Sequence, residues 1–253
     1  MGIFRNKSIY DRSRLLDAAT RARTKKKRAR AIELYRWVLA IEPQNREIHA
    51  KLAPLLAETG QHFDAWCSFK TVARAHLREG HADKALAVYR EATLYLPREV
   101  QAWEAVARLQ HKRGFEREPV ETLLEGSRFF GTRWLRPQAT HLLRLARDLD
   151  PWDFEVVLEL ARLLAASLQQ NEARLLLSGL AGRSTHERLR RVRAAQFHLS
   201  PGPGTAWRWF RSALRREPEV ELTEVESRSP DVVPLRKRAA QGFAEPRAQS
   251  RCG

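Results

Sequence analysis

One short helix pattern, written four times, constrains this chain more than any other feature. In "ALAVYREATLYLP" the small residue Ala85 is followed by Tyr89, then Ala92, then Pro97. The same skeleton stands at Ala31, Tyr35, Val38 and Pro43, at Ala139, Leu143, Ala146 and Pro151, and at Ala206, Phe210, Ala213 and Pro218. Ala85, Val88, Tyr89, Ala92 and Leu96 fall on one face at the helical period. Proline then stops each helix, because its ring cannot continue the hydrogen-bond ladder. A chain that repeats an amphipathic helix in this way folds by stacking, each unit burying its apolar face against the next.

A second helical stretch follows three of the prolines: "REIHAKLAPLLAETG", "VQAWEAVARLQHKRG" and "FEVVLELARLLAASL". Each carries a small residue in phase with its apolar stripe, Ala53, Ala107 and Ala161, where two helix backbones can approach closely. Gly60 and Gly114 end the first two, as left-handed caps require.

The small residues that open the repeats are Ala31, Ala65, Ala85, Pro119, Ala139, Ala173 and Ala206, spaced 34, 20, 34, 20, 34 and 33 residues apart. The true period is therefore 54, and each 20-residue step lacks one helix with its turn. The spacing predicts one unbroken helix over 62–79, with Ala65, Phe69, Val72, Ala73 and His76 in a single stripe, closing one repeat and opening the next. Residues 119–130 do likewise through Leu123, Ser127 and Phe130. A leading helix covers 11–24, through Leu15, Ala18, Ala19 and Ala22, and a last pair covers 185–197 and 203–216. No window alternates as a strand does, so the fold class is all-α. About twelve antiparallel helices are expected over 11–218, with a basic arm at 1–10 and a disordered tail at 219–253.

The small–aromatic–small–proline signature resembles the tetratricopeptide repeat, a helix–turn–helix unit, over roughly residues 11–218. That resemblance implies a right-handed α-solenoid of the kind found in bacterial helical-repeat scaffolds. It also implies a concave groove into which the residue after each buried small residue points. Those residues are Thr20, Pro54, Arg74, Arg108, Arg128 and Arg162, with Lys70, Arg78, Glu104 and Lys112 on the same expected face. Relatives that grip peptide C-termini use Asn and Lys at matching places; the Asn is missing here, so that activity does not carry over.

Charge is unevenly placed. The chain of 253 residues has a net charge of +16. Residues 1–30 hold +9 and 183–216 hold +8, residues 217–253 hold −1, and the body 31–182 is neutral. Both basic ends contain dense runs, "RARTKKKRAR" at 21–30 and "RLRRVR" at 188–193. No apolar run suits a signal peptide or a membrane span, and Cys67 and Cys252, the only cysteines, read as reduced thiols rather than a disulfide. A cytoplasmic protein is expected.

Motifs for catalysis are lacking. There is no Gly-rich phosphate loop and no serine in a nucleophile elbow. The closest histidines, His76 and His81, lie five apart across a predicted helix end, which is poor metal-ligand spacing. Neither a metal nor a cofactor is expected, and the chain reads as a non-enzyme. Trp37, Trp66, Trp103, Trp134 and Trp152 read as core or edge packing, whereas Trp207 and Trp209 flank the apolar face of the last helix, where a tail or partner is expected. The arginines of the expected groove suit carboxylates in bidentate geometry. The function expected is a protein-interaction scaffold holding an acidic partner segment. Binding of nucleic acid or an anionic surface through the basic ends is the alternative.

Overall fold

A computed structural model describes residues 11–214. The expectations for the arm 1–10, for Pro218 and for the tail 219–253 lie outside the described residues, as does the side chain of Ala213. Among the described residues the chain is all-α, with twelve α-helices and no strand. It divides after Ala102, inside the sixth helix, into two compact units.

The first unit holds α1 (Arg12–Thr24), α2 (Arg28–Ile41), α3 (Arg46–Glu58), α4 (His62–Arg78), α5 (Ala82–Tyr95) and the first turn of α6 (Val100–Lys112). Helices α1 to α5 each pack on the next in sequence, as antiparallel neighbours joined by tight turns do, and α3 also touches α5. The second unit holds the rest of α6, α7 (Glu118–Ser127), α8 (Arg136–Leu149), α9 (Phe154–Ala166), α10 (Gln170–Arg183), α11 (His186–Leu199) and α12 (Pro203–Leu214). Two single-turn 3₁₀ helices, Arg128–Phe130 and Arg133–Leu135, lead from α7 into α8. Here α7 touches α9 and α9 touches α11, so these three form one layer.

The 54-residue period is realised helix by helix. Helices α2, α5 and α8 begin at 28, 82 and 136 and end at 41, 95 and 149. Helices α3, α6 and α9 begin at 46, 100 and 154 and end at 58, 112 and 166. Local chemistry repeats with them. Pro43, Pro97 and Pro151 each open a turn, and an oxygen-bearing side chain then caps the following helix. Asn45 Oδ1 accepts from the amides of Glu47 and Ile48, Glu99 Oε1 from Gln101, and Asp153 Oδ1 from Val156. Helix α4 is unbroken and packs on both α3 and α5, so it does serve two repeats. Residues 118–130 run as α7 with a 3₁₀ last turn.

Most of the repeated small residues are at closed positions: Ala31, Ala53, Ala65, Ala73, Ala85, Ala107, Ala161 and Ala173 have no exposed surface, and Ala139 has 1%, whereas Ala206 in the last helix is only half-buried. Tyr35 and Leu143 are fully buried beside them and Tyr89 nearly so. Trp66 and Trp103 are buried as expected, with Trp66 Nε1 donating to Gln101 Oε1 over 2.9 Å. Trp37 and Trp134, expected to pack in the core or at its edge, are instead 62% and 86% exposed. Trp37 precedes buried Val38 by one residue and so lies about a quarter-turn off the stripe, and Trp134 falls in the second 3₁₀ turn. Phe210, expected in the core, is 49% exposed; among the described residues α12 packs chiefly on α11. Cys67 is not a free thiol, contrary to expectation; Cys252 lies outside the described residues.

Candidate partner-binding faces

The phase of the repeat places arginine outward. Ala73 and Ala161 are fully buried and Ser127 nearly so, while the residues that follow, Arg74, Arg162 and Arg128, are exposed. Arg108 after buried Ala107 keeps 26% of its side chain exposed, Pro54 after Ala53 is half-buried, and Thr20 after Ala19 is exposed.

In the first unit, Lys70, Arg74 and Arg78 run along α4 at four-residue spacing, on one face of that helix. Partial burial pushes the Lys70 ammonium pKa down, Arg74 adds to this, and Glu99 opposes it. A separate concave cavity of about 700 Å³ lies among α1, α3 and α5, with Arg23, Arg28, Glu47, Lys51, Glu58 and Glu91 on its walls. Pro54 lines this cavity; Lys70, Arg74 and Arg78 do not. Its charges are mixed, and Arg28 Nε pairs with Glu58 Oε2 at 2.5 Å across it.

In the second unit, the α7–α9–α11 layer gathers Arg128, Arg162 and Arg191 around Glu155. Arg191 grips the Glu155 carboxylate through both guanidinium nitrogens, at 2.5 and 2.7 Å. That grip first, then the charges of Arg191, Arg162 and Arg128, hold the Glu155 pKa below its usual range. Arg162 Nη1 also bonds Glu159 Oε1 at 2.5 Å. The guanidinium groups of Arg188 and Arg191 sit over the Phe154 ring at 5.3 and 5.0 Å. Glu155, Arg188 and Arg191 were not singled out in the sequence, although "RLRRVR" contains both of these arginines.

Glu104 and Arg108 lie elsewhere. Glu104 Oε1 is 2.7 Å from His141 Nε2 on α8, and this bond raises the His141 pKa. Arg108 is one turn along α6 from Glu104, 4.0 Å away, and Lys112 follows exposed at the helix end. The expected arginine column thus divides within the second unit: Arg128 and Arg162 lie in the field of Glu155 with Arg191, and Arg108 lies beside Glu104, which bonds His141 of α8.

At the end of the described chain Trp207, Trp209 and Phe210 are 62%, 43% and 49% exposed. Trp209 stacks on Phe197 with ring centroids 6.2 Å apart, and Trp207 tilts against Phe210 at 6.3 Å. The histidine spacing reads differently in three dimensions. The turn after α4 brings His76, Glu79 and His81 together, one donor atom of each within 4.8 Å of the others. Among the described residues no helix is long and apolar enough to cross a membrane.

No family model matches the chain, and no curated protein matches it. Among solved structures it is similar to the MamA protein, at 14% identity over 79% of this chain and 88% of that one, with a TM-score of 0.24. It is also similar to PilF of Pseudomonas aeruginosa, at 17% identity over 80% of this chain and 89% of that one, with a TM-score of 0.29.

Proposed function

We propose that the chain is a non-enzymatic scaffold that binds a segment of a protein partner on the exposed faces of its stacked helices, and that the segment is acidic. The observation that carries this reading is the convergence of Arg128, Arg162 and Arg191 on one layer, around Glu155 and Glu159. Guanidinium groups already held by carboxylates are oriented for more of them, since each presents five donors and a carboxylate takes two. An acidic segment replaces part of the internal pairing rather than meeting bare charge. Lys70, Arg74 and Arg78 on α4 offer a second cationic row in the first unit, and Trp207 and Trp209 offer aromatic anchors at the end of the described stack. Residues Arg23 to Arg28, exposed across the turn from α1 to α2, favour a second reading in which an anionic polymer binds the basic end.

The test starts from capture in native lysate and continues with the purified partner. The double variant Arg128→Glu with Arg162→Glu is expected to weaken partner affinity about tenfold to a hundredfold, with the helical circular dichroism unchanged. Unchanged affinity in that variant overturns the reading. Binding that tolerates any nucleic-acid sequence, falls steeply with salt and vanishes when Lys25, Lys26 and Lys27 are reversed in charge establishes the second one.

A further inference from the structure

We propose that His76, Glu79 and His81, at the turn between α4 and α5, bind one divalent transition-metal ion such as Zn²⁺. The turn itself assembles the set. Gly80 takes the left-handed conformation, with φ +77°. The amide of His81 donates to the carbonyl of His76 at 2.9 Å, and the amide of Gly80 to that of Leu77 at 3.1 Å. This double closure lays the side chain two residues past the cap against the one three residues before it. At two other helix ends closed by the same long bond those residues are Leu56 with Gln61 and Leu164 with Gln169. At α4 they are two imidazoles, with the cap residue Glu79 supplying a carboxylate. A sequence gap of five is thus a spatial contact, and the ring centroids stand 6.4 Å apart, edge to face.

The distances suit an ion. His81 Nδ1 is 3.3 Å and His76 Nδ1 4.0 Å from the same atom, Glu79 Oε2. Donor atoms around tetrahedral zinc, with bonds near 2.0–2.2 Å, lie roughly 3.3–3.5 Å apart, so a small rotation of one imidazole closes the set. His76 Nδ1 is buried and has no hydrogen-bond partner. A buried polar atom without a partner is costly, and a metal would satisfy it. Two imidazoles and one carboxylate suit Zn²⁺, Ni²⁺ or Cu²⁺ rather than Ca²⁺ or Mg²⁺, which prefer all-oxygen sets. A fourth position stays open to water or to a side chain of a partner.

Glu79 has one competitor. Arg46 of α3 donates from Nη1 to both of its carboxylate oxygens. The Arg46 side chain is 42% exposed and can turn into solvent, so the ion and the ion pair exclude one another. This competition gives the test its sign. Zn²⁺ is titrated into the full chain against a chromophoric chelator. The expected result is one ion per chain, with affinity reduced about tenfold or more in His76→Gln, His81→Gln and Glu79→Gln, and increased in Arg46→Ala. His81 is exposed, so His81→Gln leaves the core intact and keeps the test decisive even where His76→Gln disturbs folding. Zn²⁺ binding of unchanged affinity in the His76→Gln, His81→Gln double variant overturns the proposal, as does no bound ion at about 1 mM Zn²⁺.

Discussion

Gly126→Ala sets two known effects against each other at one site. Gly126 lies in α7, and in an exposed helix interior this substitution stabilises by about 0.5–1 kcal/mol, because glycine loses more backbone entropy on folding. Here the added Cβ would stand 2.6 Å from Trp103 Cδ2 and 2.7 Å from Cγ. The indole cannot step aside: Trp103 is 5% exposed, and its ring stacks on Phe129 at 5.5 Å. Overpacking a rigid contact costs about 1–3 kcal/mol, so the clash outweighs the helical gain and the net loss is on the order of 1–2 kcal/mol. Gly182→Ala in α10 is the control, since nothing lies within 4 Å of its added Cβ and only the stabilising term applies. Urea unfolding followed by circular dichroism reads both variants against the parent chain. A Gly126→Ala chain as stable as the parent, alongside a stabilised Gly182→Ala, would refute the close approach of α7 to Trp103.

Two pairs in the second unit titrate in opposite senses. The Glu155 pKa is depressed in the folded state, so its contribution is present at neutral pH and is lost as pH falls below about 4; the stability gap between the parent and Glu155→Gln in urea should shrink from pH 7 to pH 3, and an equal gap at both would contradict it. With Arg191 and Glu155 39% and 42% exposed, solvent screening holds that gap to about 1 kcal/mol or less. The His141 pKa is raised by Glu104, so its contribution is full below about pH 6.5 and fades as pH rises through the folded value. An imidazole titration by NMR should show Glu104→Gln lowering the His141 pKa, and an unmoved curve would remove the pair from the account.

Most of the helical architecture was legible because it rests on local chemistry. The prolines at 43, 97 and 151 and the caps at 45, 99 and 153 fix helix boundaries by short-range sterics and hydrogen bonds, and the closed alanines fix the buried stripe. What failed to show in sequence depended on a third partner. Trp37 and Trp134 are as apolar as Trp66, yet only Trp66 finds a neighbouring side chain, Gln101, to take its indole N–H. Phe210 keeps the repeat's phase, but burial also requires a further helix to cover it, and sequence phase carries no information about that. His76 and His81 looked separate because linear spacing says nothing of a left-handed residue between them, and Gly80 is that residue.

The divided arginine column has a geometric cause. Neighbouring helices in an antiparallel stack alternate between two layers. Three helices per 54-residue period is an odd number, so a residue and its equivalent one period later fall in opposite layers. Arg108 on α6 and Arg162 on α9 are such equivalents. Arg108 lies beside Glu104, which bonds His141 of α8, whereas Arg162 shares the field of Glu155 with Arg191 of α11. Burial survives the alternation because each layer turns its small residues inward, and Ala107 and Ala161 are equally closed. Outward residues do not survive it, since outward means opposite directions in the two layers. Arg128 and Arg162, 34 residues and two helices apart, therefore belong together, while Arg108 and Arg162 do not. A partner segment lying along the α7–α9–α11 layer meets Arg128, Arg162 and Arg191 in succession. Reversing Arg108 should then leave its affinity unchanged, where reversing Arg128 and Arg162 weakens it about tenfold to a hundredfold.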